Sequence, residues 1–189
     1  MSTKNFTPEN IESLKENEIF VFGSNIQGEH VGGAALIAVK KFGAKSSQGF
    51  GLQGNSYAIP TCIRLTEGEK RYTKPFDNVG QIKPYIESFI NDARNYPILT
   101  FYVTKIGCGI AGFKISEIAE LFRPCLDMDN VILPKEFVKW LLYPVVIANV
   151  SERRWEKGRD YDDDTLMYYV VENIERKSID DILDEFEKL

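Results

Sequence analysis

Two glycine-rich segments carry the residues with the clearest potential for chemistry in this 189-residue chain. The first, residues 22–35, reads FGSNIQGEHVGGAA, and the second, residues 105–113, reads KIGCGIAGF. Glycine has no Cβ, so the backbone N–H groups can approach a phosphate, and a helix N-terminus adds unpaired N–H groups and a partial positive charge. Each segment lies between a predicted strand and a predicted helix. The pattern predicts a site for a phosphate-bearing ligand, although either segment alone is also compatible with a tight turn.

Neither of the two common phosphate motifs fits the second segment. Residues 107–112 match the spacing G-x-G-x-x-G, and Glu136 would be the ribose-binding acid of that motif. In the dinucleotide fingerprint the glycines open the helix, whereas residues 113–115 separate them here from Ser116, the predicted N-cap. A P-loop requires a lysine where Phe113 stands. Both motifs are therefore rejected.

A few other side chains have types that suggest chemistry. His30, the only histidine, lies in the first glycine segment and is a candidate for acid–base catalysis or a phosphate contact; the alternative is an ordinary loop residue facing solvent. Cys108 fits an activated thiolate or, more simply, a small residue in a tight loop. Lys105 could offset ligand charge or lie on the rim of the sheet. Residues 162–164 are consecutive aspartates that cannot all face one ion, so no metal ion or cofactor is predicted.

The elements that would position these segments alternate along the chain. Short apolar runs predict strands at residues 19–22, 57–59, 99–104, 131–133, 145–147 and 165–171. Helical spacing of apolar residues predicts helices at residues 33–42, 82–93, 116–122 and 178–189. This order favours a central, mainly parallel sheet covered on both faces, with ligands bound beyond the carboxyl ends of the strands.

Composition limits the classes of protein and partner. With 43% hydrophobic residues the chain can bury a full core in one domain, and its net charge of −5 argues against a nucleic-acid partner. The N-terminal residues are polar, and no segment approaches the roughly 18 apolar residues of a membrane span. The three cysteines are scattered and odd in number, which is typical of reduced thiols. We therefore expect a cytoplasmic protein with no membrane partner.

Three segments in a fixed order resemble macro domains and macro-domain-like proteins, some of them phage-associated. They are VFGSNIQGEHVGGAALIAVKKFGA, GLQGNSYAIPT and FYVTKIGCGIAGF, and the resemblance covers about residues 18–133. It implies a three-layer α/β/α fold with a mixed, mainly parallel sheet. The whole chain, residues 1–189, is then one domain with a core at about 18–143 and a C-terminal strand and helix extension at about 144–189. It also implies binding of ADP-ribose or a related NAD-derived nucleotide, free or attached to a protein.

The resemblance also implies which residues contact the ligand. Asn25 would lie near the distal ribose, and the glycines of both loops would hold the pyrophosphate through their N–H groups. Phe113 would pack against the ribose, unless it is an ordinary core aromatic. The expected ligand-binding residues are Gly23, Ser24, Asn25, His30, Gly32, Gly33, Ala34, Thr61, Ile106, Gly107, Cys108, Gly109, Ile110, Ala111, Gly112 and Phe113.

The chain departs from the family at positions that matter for catalysis. Lysine-dependent glycohydrolases use a lysine and an aspartate where this chain has Cys62 and Ala111, and such groups act as a unit. That branch of chemistry is therefore not expected. Hydrolysis of an ADP-ribosyl bond by a phosphate-oriented water stays open, with Asn25 and His30 as catalytic candidates. Two alternatives are simple binding and a non-catalytic interaction module with vestigial loops. The acid that reads adenine in many macro domains has no matched counterpart in residues 9–12.

Overall fold

The computed structural model describes residues 6–144, 146, 166, 169, 170, 173 and 179–186. The strands are β1 (Glu18–Asn25), β2 (Gly51–Gln53), β3 (Ser56–Glu67), β4 (Lys70–Pro75), β5 (Thr100–Val103) and β6 (Val131–Ile132). The helices are α1 (Gly33–Phe42), α2 (Lys83–Asn95), α3 (Ile115–Leu121), α4 (residues 135–144) and a C-terminal helix (Ile179–Phe186). Within these ranges, no helix is long and apolar enough to cross a membrane.

The six strands form one mixed, mainly parallel sheet in the order β2-β3-β1-β5-β6, and β4 also pairs with β3. Strand β1 is parallel to both of its neighbours, β3 and β5, and β6 is parallel to β5. Strands β2 and β4 are antiparallel to β3 and pair with different parts of it. Because β1 and β5 run in the same direction, their carboxyl ends lie at one edge of the sheet. Strand β3 passes the end of β1 at the Asn25–Cys62 pair and continues to Glu67.

Strand β1 shows why the sheet is covered on both faces. Its successive side chains point to opposite faces, so Ile19 and Val21 enter one apolar core while Phe20 and Phe22 enter another. The first core is completed by buried residues of α2, α3 and α4, and the second by Ala35, Ala38 and Phe42 of α1. The predicted three-layer α/β/α fold is therefore confirmed.

Local signals located some element boundaries and missed others. The helix predicted at 33–42 is confirmed, and Gly43 ends it in the left-handed conformation. Helix α3 begins earlier than predicted, because Lys114 and not Ser116 is its N-cap: the Lys114 N–H donates to the Glu117 carboxylate at 2.9 Å. The antiparallel hairpin of β3 and β4 was not predicted, since β4 is polar and mostly exposed and lacks the apolar run typical of a buried strand.

The predicted strands at 145–147 and 165–171 are wrong wherever the structure describes them. Val146, Leu166, Tyr169 and Val170 are all helical. Short apolar runs do not distinguish a strand from a buried helix. In these segments the buried apolar residues lie four positions apart, and residues i and i+4 of a helix share a face. The apolar cluster at this end contains Leu142, Val146, Leu166, Val170, Ile182 and Leu183. The aspartates at 162–164 lie outside the described residues.

The close approach of the α1 C-terminus to the β2–β3 turn yields a stability prediction. A Cβ on Gly54, where φ is +55°, would lie 2.7 Å from the Gly43 carbonyl oxygen. Gly68 has nearly the same φ, +59°, but open space around it. Gly68→Ala should therefore cost only the left-handed strain of about 1–2 kcal/mol. Gly54→Ala should cost about 1–3 kcal/mol more from overpacking. Urea unfolding of both variants measures the difference, and equal losses would contradict this packing.

Candidate functional site

The two glycine segments meet at the carboxyl edge of the sheet. Loop 1 (residues 26–32) connects β1 to α1, and loop 2 (residues 104–114) connects β5 to α3. Both line one cavity of about 210 Å³, which we call the loop cavity. Most of the predicted ligand-binding residues line it: Gly23, Ser24, Asn25, Gly32, Gly33, Ala34, Thr61, Ile106, Gly107, Gly109, Ile110 and Ala111.

Loop 1 contributes the N-terminus of a ten-residue helix. The first backbone bond of this helix runs from Leu36 N–H to Gly32 C=O at 3.2 Å, so the N–H groups of Gly33, Ala34 and Ala35 precede it. These are the groups that an α-helix leaves without an intrahelical acceptor, and the helix dipole gives this end a partial positive charge. All three residues line the loop cavity. This wall of the cavity therefore presents hydrogen-bond donors that can bind an anion.

Loop 2 contributes a second set of donors. Its turn uses the N–H groups of Cys108 and Gly112 for bonds to Lys105 C=O at 3.2 Å and Gly109 C=O at 2.9 Å. Among the described residues, no acceptor is found for the N–H groups of Gly109, Ile110 and Ala111. Successive backbone N–H groups in such a turn form a concave anion site. Two walls of the cavity thus carry unpaired backbone donors.

The charged side chains at the cavity are held by partners. Lys105 Nζ lies 2.7 Å from Glu136 Oε1, and this hydrogen bond raises the pKa of Lys105. The carboxylate of Glu9 is 3.9 Å from the same ammonium group. Glu29 is the single acidic residue of the described chain that lines the loop cavity, and two arginines pair with it. The surroundings therefore favour a bound anion over a cation.

Loop 1 is fixed by side-chain hydrogen bonds that its sequence did not suggest. Asn25 Nδ2 donates to Glu29 C=O at 2.8 Å, and Glu29 N–H donates to Asn25 Oδ1 at 3.0 Å. Ser24 Oγ donates to the carbonyl of Gly49. Asn25 lines the loop cavity, and its amide group also braces the turn that follows β1.

Several predicted site residues do not line the loop cavity: His30, Cys108, Gly112 and Phe113. His30 is only 7% exposed, its ring meets the Phe22 ring edge-on at 5.1 Å, and Nε2 is 3.2 Å from Gln48 C=O. Burial lowers its pKa, which keeps the imidazole neutral near pH 7. Cys108 has a pKa raised by burial to about 11, so it is a thiol and not a thiolate. Phe113 packs against the main core.

Sequence reasoning missed residues that line the cavity from outside the glycines. Glu29 and Val31 belong to loop 1, and Thr73 belongs to β4. Thr73 is placed by Arg64, whose Nη1 donates to Thr73 Oγ1 at 2.8 Å across the β3–β4 hairpin. Residues 70–75 read KRYTKP and show no alternation of apolar and polar residues, so the sequence carried no clear signal for this wall.

A second cavity of about 440 Å³ adjoins the first, and we call it the side cavity. The two share Thr104 and Lys105, at the end of β5. The side cavity combines apolar surfaces with charged groups: it is lined by Phe6, Thr7, Pro8, Glu9, Thr104, Lys105, Pro134, Lys135, Glu136 and Lys139. Together the cavities reach the size of a typical small-molecule site, roughly 300–1,000 Å³.

Comparison of the chain with models of known protein families, with curated proteins and with solved structures finds no match. The fold class is established by the structure alone. The resemblance to macro domains therefore stays a prediction, and the chemistry of the site must be argued from the two loops.

Gly32 offers a direct test of the anion site. Its backbone is extended at φ −160°, and a Cβ there would meet nothing within 4 Å, whereas φ at Gly33 is +55° and would strain any side chain. Gly32→Gln and Gly32→Glu should each lower the free energy of unfolding by at most about 1 kcal/mol. The carboxylate alone should occupy the anion site, so only Gly32→Glu should weaken binding of inorganic pyrophosphate, by at least about tenfold. Calorimetry measures the stability and the pyrophosphate affinity of each variant. Equal affinities of the two variants would show that loop 1 is not part of the anion site.

Proposed function

We propose that this protein binds ADP-ribose or a related NAD-derived nucleotide, with the pyrophosphate between loop 1 and loop 2. The observation that carries the proposal is the convergence of unpaired N–H groups from both loops on one cavity, beside the N-terminus of α1. A pyrophosphate has oxygens on two phosphorus atoms and can accept from both walls at once. Backbone donors aimed at an anion in a partly enclosed site cost little reorganisation on binding.

Lys105 supports the same position for the phosphates. Its ammonium group lies at the boundary between the two cavities and is paired with Glu136, which is also partly exposed. A bound pyrophosphate would compete with Glu136 for this ammonium group. A compact, mobile ammonium group is suited to a phosphate as a point charge.

The side cavity suits the nucleoside end of such a ligand. Phe6, Pro8 and Pro134 offer apolar surface for a base, and the carboxylates of Glu9 and Glu136 are acceptors for an exocyclic amino group. Glu9 lies in residues 9–12, which contain no counterpart matched to the acid that reads adenine in many macro domains. Its place in this cavity supports an adenine nucleotide over a ligand without a base.

The proposal is for binding, and rapid turnover is not expected. By the resemblance, the lysine and aspartate of one glycohydrolase branch are Cys62 and Ala111 here. Burial raises the pKa of the Cys62 thiol, whose Sγ lies 3.4 Å from Ser24 C=O, so it is a poor nucleophile at neutral pH. His30, the other titratable candidate, is buried behind the loop.

A thermal-shift titration tests binding. A ligand at about 100 times its dissociation constant adds roughly 2.7 kcal/mol to the free energy of unfolding. For a chain of this size we expect ADP-ribose to raise Tm by about 5–10 °C. Adenosine and ribose, which lack the pyrophosphate, should each give a much smaller shift. Gly32→Glu should lose the ADP-ribose shift, with Gly32→Gln as the matched control. No shift with ADP-ribose, ADP or NAD at millimolar concentration would refute the proposal.

A second measurement tests the expected absence of rapid turnover. A peptide carrying ADP-ribose in ester linkage to a glutamate side chain is incubated with the protein, and free ADP-ribose is followed by mass spectrometry. We expect release close to the rate without protein. Release at many turnovers per minute would contradict this expectation, and its loss in Asn25→Ala would then assign the activity to the loop cavity.

A further inference from the structure

Glu29 occupies an unusual place for an acidic side chain. It lines a cavity whose other walls present unpaired N–H groups, and it follows Asn25 by four residues in loop 1. An unpaired carboxylate at this position would repel a bound phosphate. Its charge must therefore be offset if a phosphate is to bind in this cavity.

Two arginines of the β3–β4 hairpin offset the charge of the Glu29 carboxylate. Arg64 Nε donates to Glu29 Oε2 at 3.3 Å, and Arg71 Nη2 donates to Glu29 Oε1. The Glu29 side chain is 25% exposed and Arg64 is 16% exposed, whereas Arg71 is more than half exposed. Two guanidinium groups against one carboxylate leave a net positive charge at this corner, so it does not repel the phosphates.

The same contacts leave part of the carboxylate available. An ionised carboxylate has about four lone-pair sites, two on each oxygen. Each oxygen takes one arginine donor, so each retains one further acceptor position. The carboxylate thus keeps two adjacent acceptor oxygens, each with one arginine partner. Such a pair matches two adjacent hydroxyl donors, which a sugar with a vicinal diol provides.

Asn25 fixes Glu29 from the other side. Its amide group accepts from the Glu29 N–H at 3.0 Å and donates to the Glu29 carbonyl at 2.8 Å, so both backbone polar groups of Glu29 are bound. The side chain is held by arginines and the backbone by an asparagine. A glutamate held at its backbone and at its side chain is preorganised, which lowers the entropy lost when its carboxylate binds a ligand.

We propose that Glu29 is a specificity-determining residue, whose carboxylate accepts hydrogen bonds from the vicinal hydroxyl groups of a sugar at the end of the ligand beyond the pyrophosphate. The inference rests on the proposed function, because it assumes a sugar diphosphate in the loop cavity. Arg64, Arg71 and Asn25 are then positioning residues that act through Glu29. The site selects ligands that end in an unsubstituted diol.

Calorimetry with two ligands tests this role. One is ADP-ribose, and the other is an analogue in which hydrogen replaces both hydroxyls of the vicinal diol of the terminal ribose. The parent should bind ADP-ribose at least about tenfold more tightly than the analogue, equivalent to about 1.4 kcal/mol. Glu29→Gln, which keeps one oxygen acceptor and loses the other, should reduce this preference to below about threefold. Because the variant also leaves two arginines unpaired near the phosphates, the affinities for both ligands should rise, and the ratio of the two affinities is the readout. Glu87→Gln, at an exposed ion pair of α2, is the matched control and should retain the full preference.

Glu29→Gln leaves the Arg64 guanidinium group without its carboxylate partner. A second variant therefore controls for a loss of folding caused by this unpaired charge. Glu29→Gln combined with Arg64→Gln removes both charges and should show the same loss of preference. A parent that binds both ligands equally, or variants that retain the tenfold preference, would overturn the role of Glu29 alone. A parent that binds neither ligand would overturn the proposed function, and this inference with it.

Discussion

Strand β1 pairs in parallel with both β3 and β5, and this pairing sets the positions of the two cores and of both loops. Strand β1 is hydrogen-bonded on both edges and buried on both faces, with aromatic residues toward α1 and aliphatic residues toward the other helices. Because its neighbours run in the same direction, loop 1 and loop 2 emerge at one edge, next to the middle of β3. A slip of one residue in β1 would exchange its two sets of apolar side chains and break both cores.

The site follows from what this edge leaves unpaired. A helix begins directly after loop 1, so the N–H groups of its first turn have no intrahelical acceptor, and the tight turn of loop 2 leaves several more. Neither loop alone distinguishes a binding site from a compact turn. Their convergence on one cavity, with the ammonium group of Lys105 at its border, is the feature that a turn does not require.

Side chains around the loops divide into those that hold geometry and those that face the cavity. His30, a candidate from its place in loop 1, and Phe113, which the resemblance placed at the ribose or else in the core, do not line the loop cavity and are packed against apolar residues. Asn25 does both, since it lines the cavity and braces the backbone of Glu29. Arg64 and Arg71 of the β3–β4 hairpin pair with Glu29. An element outside the glycine-rich segments thus holds one of the side chains that line the cavity.

Features that local chemistry encodes could be predicted from the residues: the alternation of strands and helices, α1 from 33 to 42 with Gly43 at its end, and both glycine loops. Contacts between distant segments became visible only in the folded chain. Arg64 and Arg71 meet Glu29 across 35 and 42 residues, and no local propensity specifies that pairing. Tertiary packing likewise decided that Val146 and Val170 are helical, since short apolar runs fit strand or helix until their packing partners are known.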